Sequence, residues 1–370
     1  MQNFDVIVLG AGINGCGIAE NLARSGKQVL LLDKGGVGRG TSSKSSRLIH
    51  GGLRYLETGQ LHLVYESLHD RQRLVQQYPE LVAYKRFYLP IYQSSPRPAW
   101  LIRVGLWMYD LLSGSRSAGK SRKERIDQFL IQFPAFSPEG LKSVLSYVDA
   151  KTHDSELTRR VADDFQERGG TVIVHCDVKH IAWDEQGFQV SSSAGEFSTL
   201  TFVNATGPWL DEVNEKYNFP AKFHIRKVSG IHLIFDGLVV PELMFMQTRE
   251  KRIFFIIPEP ERDQTLIGTT EREEDCLMDQ VQAQEADIQY LLEQVNAYLK
   301  AGHYLKREDV RDIYIGVRPL VRKKGNASDV SREYKLDLHK KGKSKLLHVF
   351  GGKLTTYQSL AEKVFIKLYQ

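Results

Sequence analysis

Cysteine is scarce in this chain, with three in 370 residues: Cys16, Cys176 and Cys276. They are odd in number, far apart and form no Cys-x-x-Cys pair, so a disulfide framework is excluded and reduced structural thiols in a cytoplasmic protein are expected. Long apolar runs are also missing. A spanning helix needs about 20 such residues, and the most apolar helical stretch, WLIRVGLWMYDLL from Trp100 to Leu112, contains Arg103 and Asp110. The opening residues lack a basic leader and read as a strand from Phe4, so no secretory signal is expected. Nor is there a large excess of one charge. The 50 Lys+Arg against 45 Asp+Glu leave +5, too mild by itself to imply nucleic acid and suited to an anionic ligand or membrane surface. Internal repeats, low-complexity segments and metal-ligand spacings are absent.

What is present begins with a β-α-β unit. FDVIVLG is a continuous apolar run, as a strand buried on both faces requires, NGCGIAENLARSG reads as a helix stopped at Gly26, and QVLLLDK is the second strand. A helix through LHLVYESLHDRQRLVQQYPEL is expected to face the core with Leu61, Val64, Leu68 and Val75. A second α/β piece starts near Ser146, with Leu157, Val161 and Phe165 on the buried face of DSELTRRVADDFQERGG. Residues 222–270 alternate as antiparallel strands, and a helix near 281–300 buries Ile288, Leu291, Leu292, Val295 and Leu299. DIYIGVRPLV and KLLHVFGGKLTTYQSLAEKVFIKL close the chain. The fold class is α/β. A discontinuous Rossmann-type domain over 1–75, 146–215 and 308–370 is interleaved with an antiparallel-sheet domain over 76–145 and 216–307.

GAGING, with Gly10, Gly12 and Gly15, is G-x-G-x-x-G placed between a strand and a helix. The glycines allow a tight turn, close approach of a pyrophosphate and close helix–strand packing, while the helix N-terminus offers amides to the phosphates. Asp33 at the end of the second strand stands where an acid takes ribose hydroxyls and disfavours a 2′-phosphate. A dinucleotide is expected; NAD and FAD both use this half-site, and the spacing does not choose between them.

Ordinary folding does not account for the next stretch, GTSSKSSRLIHGGLRYLE. Together with VNATGPW, GVRPLV and FGGKLTTYQSLAEK, in this order from about Asp5 to Lys367, it resembles the FAD-dependent glycerol-3-phosphate dehydrogenases of the D-amino-acid-oxidase-like flavoprotein superfamily. The resemblance implies an FAD-binding domain and a substrate (cap) domain. It places Lys34, Thr41, Ser42, Ser43, Ser45 and Ser46 along the cofactor. His50, Gly51 and Gly52 would lie against the isoalloxazine, Val178 at the adenine, and Thr206 and Gly207 near the dinucleotide. Gly316, Gly351, Gly352, Lys353, Leu354 and Thr355 would close over the flavin.

The same resemblance implies oxidation of sn-glycerol 3-phosphate to dihydroxyacetone phosphate by hydride transfer to FAD. Arg54, Tyr55, Arg318, Arg332 and Lys353 would bind the phosphorylated polyol, arginine forks being suited to phosphate. His50 and His232 are the candidate bases, with Arg318 and Lys353 as electrostatic stabilisers. A quinone or other acceptor would reoxidise the flavin. Trp100, Leu101, Val104, Trp107, Met108 and Leu111 share one face of their helix, which precedes a basic loop to Arg125. That face suits either the lipid interface on the inner side of the cytoplasmic membrane or ordinary core packing. Two further readings stay open: a relative oxidising another 2-hydroxy acid or amine, and a catalytically silent flavin-binding protein. The sequence stops at Gln370, where the family continues into a C-terminal helical domain, and carries Asp33 where many members have Glu.

Overall fold

Val6 and Val8 of the first strand, Gln2–Leu9, pack on one side of their sheet, while Ile7 and Leu9 pack on the other. A strand covered on both faces cannot alternate, which is why its sequence reads as one apolar run. The computed structural model describes residues 1–57, 59–114, 118–322 and 333–370.

The first sheet runs Lys335–Lys341, Ser344–Phe350, Gly195–Asn204, Gln2–Leu9, Val29–Leu32, Thr171–Ile173. All pairings are parallel along this path except the outermost, between 335–341 and 344–350. Helices Ile13–Arg24, Asp154–Glu167 and Tyr357–Tyr369 cover one face through Ile18, Leu22, Val161, Phe165, Leu360 and Val364. The strands Val178–Asp184 and Gly187–Ser192 fold back on Gly195–Asn204 and bring Phe188 and Val190 to the other face.

Among the described residues the second sheet has ten strands: eight in the order Arg272–Glu274, Ile225–Asp236, Gln264–Gly268, Ile253–Glu259, Leu243–Gln247, Val82–Tyr92, Leu141–Thr152, Leu48–Ile49, with Arg122–Glu124 pairing beside Leu141–Thr152. Val310–Val321 also pairs with Ile225–Asp236, antiparallel. Sheet membership therefore departs from the expected boundaries at three stretches. Leu48–Ile49, residues 146–152 and Val310–Val321 lie in this second sheet, not with the dinucleotide-binding pieces. An apolar strand pattern reports burial and face; which strand it pairs with is decided by long-range register.

One helix sits differently from expectation, and a second turns outward the face for which lipid contact and core packing were both open. Leu61–Gln77 buries Leu63, Val64, Leu68, Asp70, Arg71 and Leu74 and leaves Leu61 exposed. Arg71 and Asp70 find buried polar partners, which turns the helix away from its purely apolar stripe. Ala99–Ser113 buries Ile102, Leu106, Tyr109 and Ser113 and sends Trp100 (67% exposed), Trp107 (64%) and Leu111 (67%) outward. No described helix is long and apolar enough to cross a membrane.

Candidate active site

A cavity of about 650 Å³ lies between the two sheets and is walled by both. At one end is the glycine loop. Gly10 has φ +107°, and a Cβ there would lie 2.6 Å from the Ala205 carbonyl oxygen. A Cβ on Gly15, which does not face the cavity, would lie 1.8 Å from the Gly10 oxygen, so this glycine serves helix–strand contact. Gly12 precedes the Ile13–Arg24 helix, whose first turn holds no acid and which has no side-chain cap from that residue. The amide of Ile13 donates to Ser42 Oγ (2.9 Å). Asp33 faces the cavity with its carboxylate oriented by the amides of Ala11 and Gly35, both at 2.7 Å. Asn14, also on the wall, keeps a buried Oδ1 without a protein partner. A helix start with no acid in its first turn, a tight glycine turn before it and a buried amide oxygen able to accept from a sugar hydroxyl together fit a dinucleotide.

The serine-rich stretch becomes a strap along one wall. Thr41 Oγ1 donates to the Val317 carbonyl (2.6 Å), and Ser45 donates from both N and Oγ to Asp154 Oδ2 (3.0 and 2.7 Å). Ser46 Oγ shares a hydrogen with His232 Nε2 (2.8 Å). Ser43 turns back to the Gly40 carbonyl and does not line the cavity. At the glycine-loop end, Val178 lines the wall while its carbonyl accepts from Lys216 and Tyr217. Thr206, Gly207 and Lys34 line the same region, Lys34 with its ammonium 4.7 Å from the Trp209 ring centre.

The opposite end gathers residues from four distant segments. His50, Gly52 and Tyr55 follow the Leu48–Ile49 strand. Gly51 sits behind this wall, where a Cβ would lie 2.3 Å from the Tyr109 hydroxyl. Lys353 places its ammonium 4.2 Å from the Tyr55 ring centre, and Leu354 and Thr355 continue the wall. Gly351 and Gly352 have φ +81° and +99°, and the Asn14 amide donates to the Gly351 carbonyl (3.1 Å), joining the two ends of the chain. Gly316 lets its strand meet the strap, since a Cβ would lie 2.4 Å from the Lys44 carbonyl oxygen. Arg318 faces the cavity, hydrogen-bonded to Glu271 Oε1 and Thr269 Oγ1, each at 3.1 Å. The Arg54 side chain and Arg332 lie outside the described residues.

His232 is 2% exposed, stacked on the Tyr314 ring at 4.7 Å. Burial, then the neighbouring Arg318 and Arg47 cations, lower it to about 3. Its imidazole is therefore neutral across the ordinary working range. Sequence reasoning passed over Glu271, Thr269, the buried Arg47–Glu259 ion pair near His232, and Asp149, which lines the cavity. Of these only Arg47 stands in a quoted motif, the serine-rich stretch. The one usable signal was an arginine and acids inside otherwise apolar strand and helix patterns. Among the described residues no group of three or more His, Cys, Asp or Glu is placed to hold a metal.

The sequence model of the family described as FAD dependent oxidoreductase matches residues 5–355. Among curated relatives, the D-erythritol 1-phosphate dehydrogenase of Brucella abortus (strain 2308) is 36% identical over 382 residues, covering 98% of this chain and 73% of that protein. The aerobic glycerol-3-phosphate dehydrogenase of Escherichia coli (strain K12) is 36% identical over 379 residues, covering 100% and 74%. Among solved structures, glycerol-3-phosphate dehydrogenase from Bacillus halodurans complexed with FAD superposes with a TM-score of 0.76 at 24% identity, covering 99% of this chain and 64% of that one. A glycine oxidase from Geobacillus kaustophilus gives 0.73 at 17%, covering 100% and 95%. These two likenesses concern the fold.

Proposed function

The chain belongs to the FAD-dependent oxidoreductase family, residues 5–355 matching it, and from that premise we propose that it oxidises the secondary alcohol of a small phosphorylated polyol, sn-glycerol 3-phosphate first among them. The observation that carries this reading is the continuity of one cavity from the glycine loop to the His232, Arg318 and Lys353 cluster. The bound flavin supplies a hydride acceptor for the carbon being oxidised. Arg318, its guanidinium oriented by Glu271 and Thr269, presents positive charge to an anionic substrate. Lys353 and Arg318 suit stabilisation of the developing alkoxide. His232, neutral and buried, takes the hydroxyl proton. Two cations depress its basicity, and a phosphate dianion among them offsets that field, so substrate binding raises the basicity of the ring. Arg54, Tyr55 and Arg332 complete the proposed phosphate site, and His50 remains on the wall beside it.

Relatives acting on either a triol or a tetritol phosphate support the class of substrate and leave its length to experiment. Anaerobic addition of glycerol 3-phosphate, and separately of erythritol 1-phosphate, to the FAD-loaded protein should bleach the oxidised flavin band near ~450 nm. A yellow protein that neither compound bleaches overturns the reading.

An apolar electron acceptor, such as a quinone, is the second component. A cleft of about 140 Å³ under the Ala99–Ser113 helix shares Leu53, Phe245 and Ile253 with the main cavity. Its other walls include Leu56, Leu101, Val104 and Met108. The outward Trp100, Trp107 and Leu111, near the exposed Lys120 and Lys123, support seating of this helix on an anionic membrane surface.

A further inference from the structure

Behind the His50 end of the cavity lies a polar cluster for which the proposed chemistry has no use. Arg71 is 0% exposed, and Asp149 and Tyr109 are 1% exposed. Arg71 Nη1 donates to Asp149 Oδ1 (2.6 Å), and Nη2 donates to Ser113 Oγ (3.0 Å). The Tyr109 hydroxyl lies 2.9 and 2.8 Å from the two Asp149 oxygens. What this cluster holds is backbone. The amide of Gly51 donates to the Tyr109 hydroxyl (2.9 Å) and to Asp149 Oδ1 (3.2 Å).

The register explains why side chains are needed there. Leu48 pairs with Lys151 and Ile49 with Ala150, so His50 comes next opposite Asp149, and the two-residue strand ends. From that point the backbone leaves the ladder, and a buried amide without a partner is costly. Gly51 lacks a Cβ because Tyr109 and Leu68 fill that space, at 2.3 and 2.5 Å from where it would be. Gly52, at φ +75°, turns the chain back to the cavity wall. A buried Arg–Asp pair contributes little net stability compared with apolar packing of the same volume, because both charges are desolvated. Its consequence here is geometric: it orients the hydroxyl and the carboxylate that grip Gly51.

We propose that Tyr109 and Asp149, buttressed by Arg71, are positioning residues that fix the His50–Gly51–Gly52 wall of the cavity against which the flavin ring is read to lie. The inference rests on the flavin reading above, and its test separates the two. In FAD-loaded Tyr109→Phe and Asp149→Asn proteins, the visible flavin spectrum should shift. kcat should fall about ten- to a hundredfold, as for a displacement of roughly an ångström at the reacting centre, while KM for glycerol 3-phosphate changes little. Hydrogen exchange by mass spectrometry, read on the peptide covering 48–54, should show a protected Gly51 amide in the wild type and loss of that protection in Asp149→Asn. Folded variants with a wild-type flavin spectrum and kcat overturn the proposal, as does an unprotected Gly51 amide in the wild type, which needs no variant to fold. If glycerol 3-phosphate fails to bleach the wild-type flavin, the substrate reading falls while the spectral and exchange results still decide this one.

Discussion

Single side chains carry two different burdens in this protein, and pH separates them. His232 and His348 are both buried; burial lowers the second to about 4 and the first, with Arg318 and Arg47, to about 3. A histidine held neutral in the fold but free to protonate when unfolded, near 6.5, weakens the fold as pH drops through that window. The sign follows from the unfolded chain binding more protons there. Between pH 7 and pH 5 each histidine should therefore cost about 2 kcal/mol, at roughly 1.4 kcal/mol per unit below 6.5. Urea unfolding at both pH values should show a shallower loss in His348→Asn than in the wild type. His232→Asn should share that shallower slope and also lose about 10²–10⁴-fold in kcat with FAD retained, as removal of a general base does. In a Gly51→Ala protein the added methyl has to displace Tyr109 or Leu68, with an expected cost of about 1–3 kcal/mol in urea unfolding. At this scale motif context picked out Asp33, Arg318 and Lys353, which line one cavity, but also Ser43 and Gly51, which do not. It was silent on Arg71, Asp149 and Glu271. A charged residue's burial depends on partners 47 or 78 positions away, and no local pattern encodes them.

Among the elements, the Ala99–Ser113 helix is the most informative. Its periodicity announced an apolar face correctly, and the structure turns that face outward while a second face, with Ile102, Leu106 and Tyr109, packs inward. In a helix apolar on two sides periodicity does not choose which side packs inward, which is why lipid contact and core packing both stayed open. If the outward face meets lipid, replacing Trp100 and Trp107 together by Ser should lower binding to vesicles of mixed neutral and anionic lipid by at least about tenfold, each buried ring being worth more than about 1 kcal/mol. The unfolding free energy should stay within about 0.5 kcal/mol of wild type, as for surface positions. Vesicle sedimentation with parallel unfolding curves reads both. The strands tell a similar story: their existence and alternation were readable, whereas the pairing of Val310–Val321 with Ile225–Asp236 was not. That pairing matters to the site, because it carries Gly316 and Arg318 to the strap.

For the molecule as a whole, the cavity wall is drawn from both sheets, so its occupant should act as a keystone for both. FAD present at a hundred times its Kd should stabilise the fold by about 2.7 kcal/mol through mass action. ADP, which reaches only the glycine-loop half, should raise the melting temperature less than FAD does. Equal shifts in a thermal melt would mean that the cavity is not spanned.

The strap and the Val310–Val321 strand are stitched together by Thr41 to Val317 and by the Tyr314 hydroxyl to the Ser45 carbonyl (2.7 Å), with Gly351 tied to Asn14 alongside. Among the described residues such seams tie the wall of the cavity together at separate points along the chain. FAD held between these seams should stay with the polypeptide through gel filtration, which the ratio of flavin to protein absorbance reads.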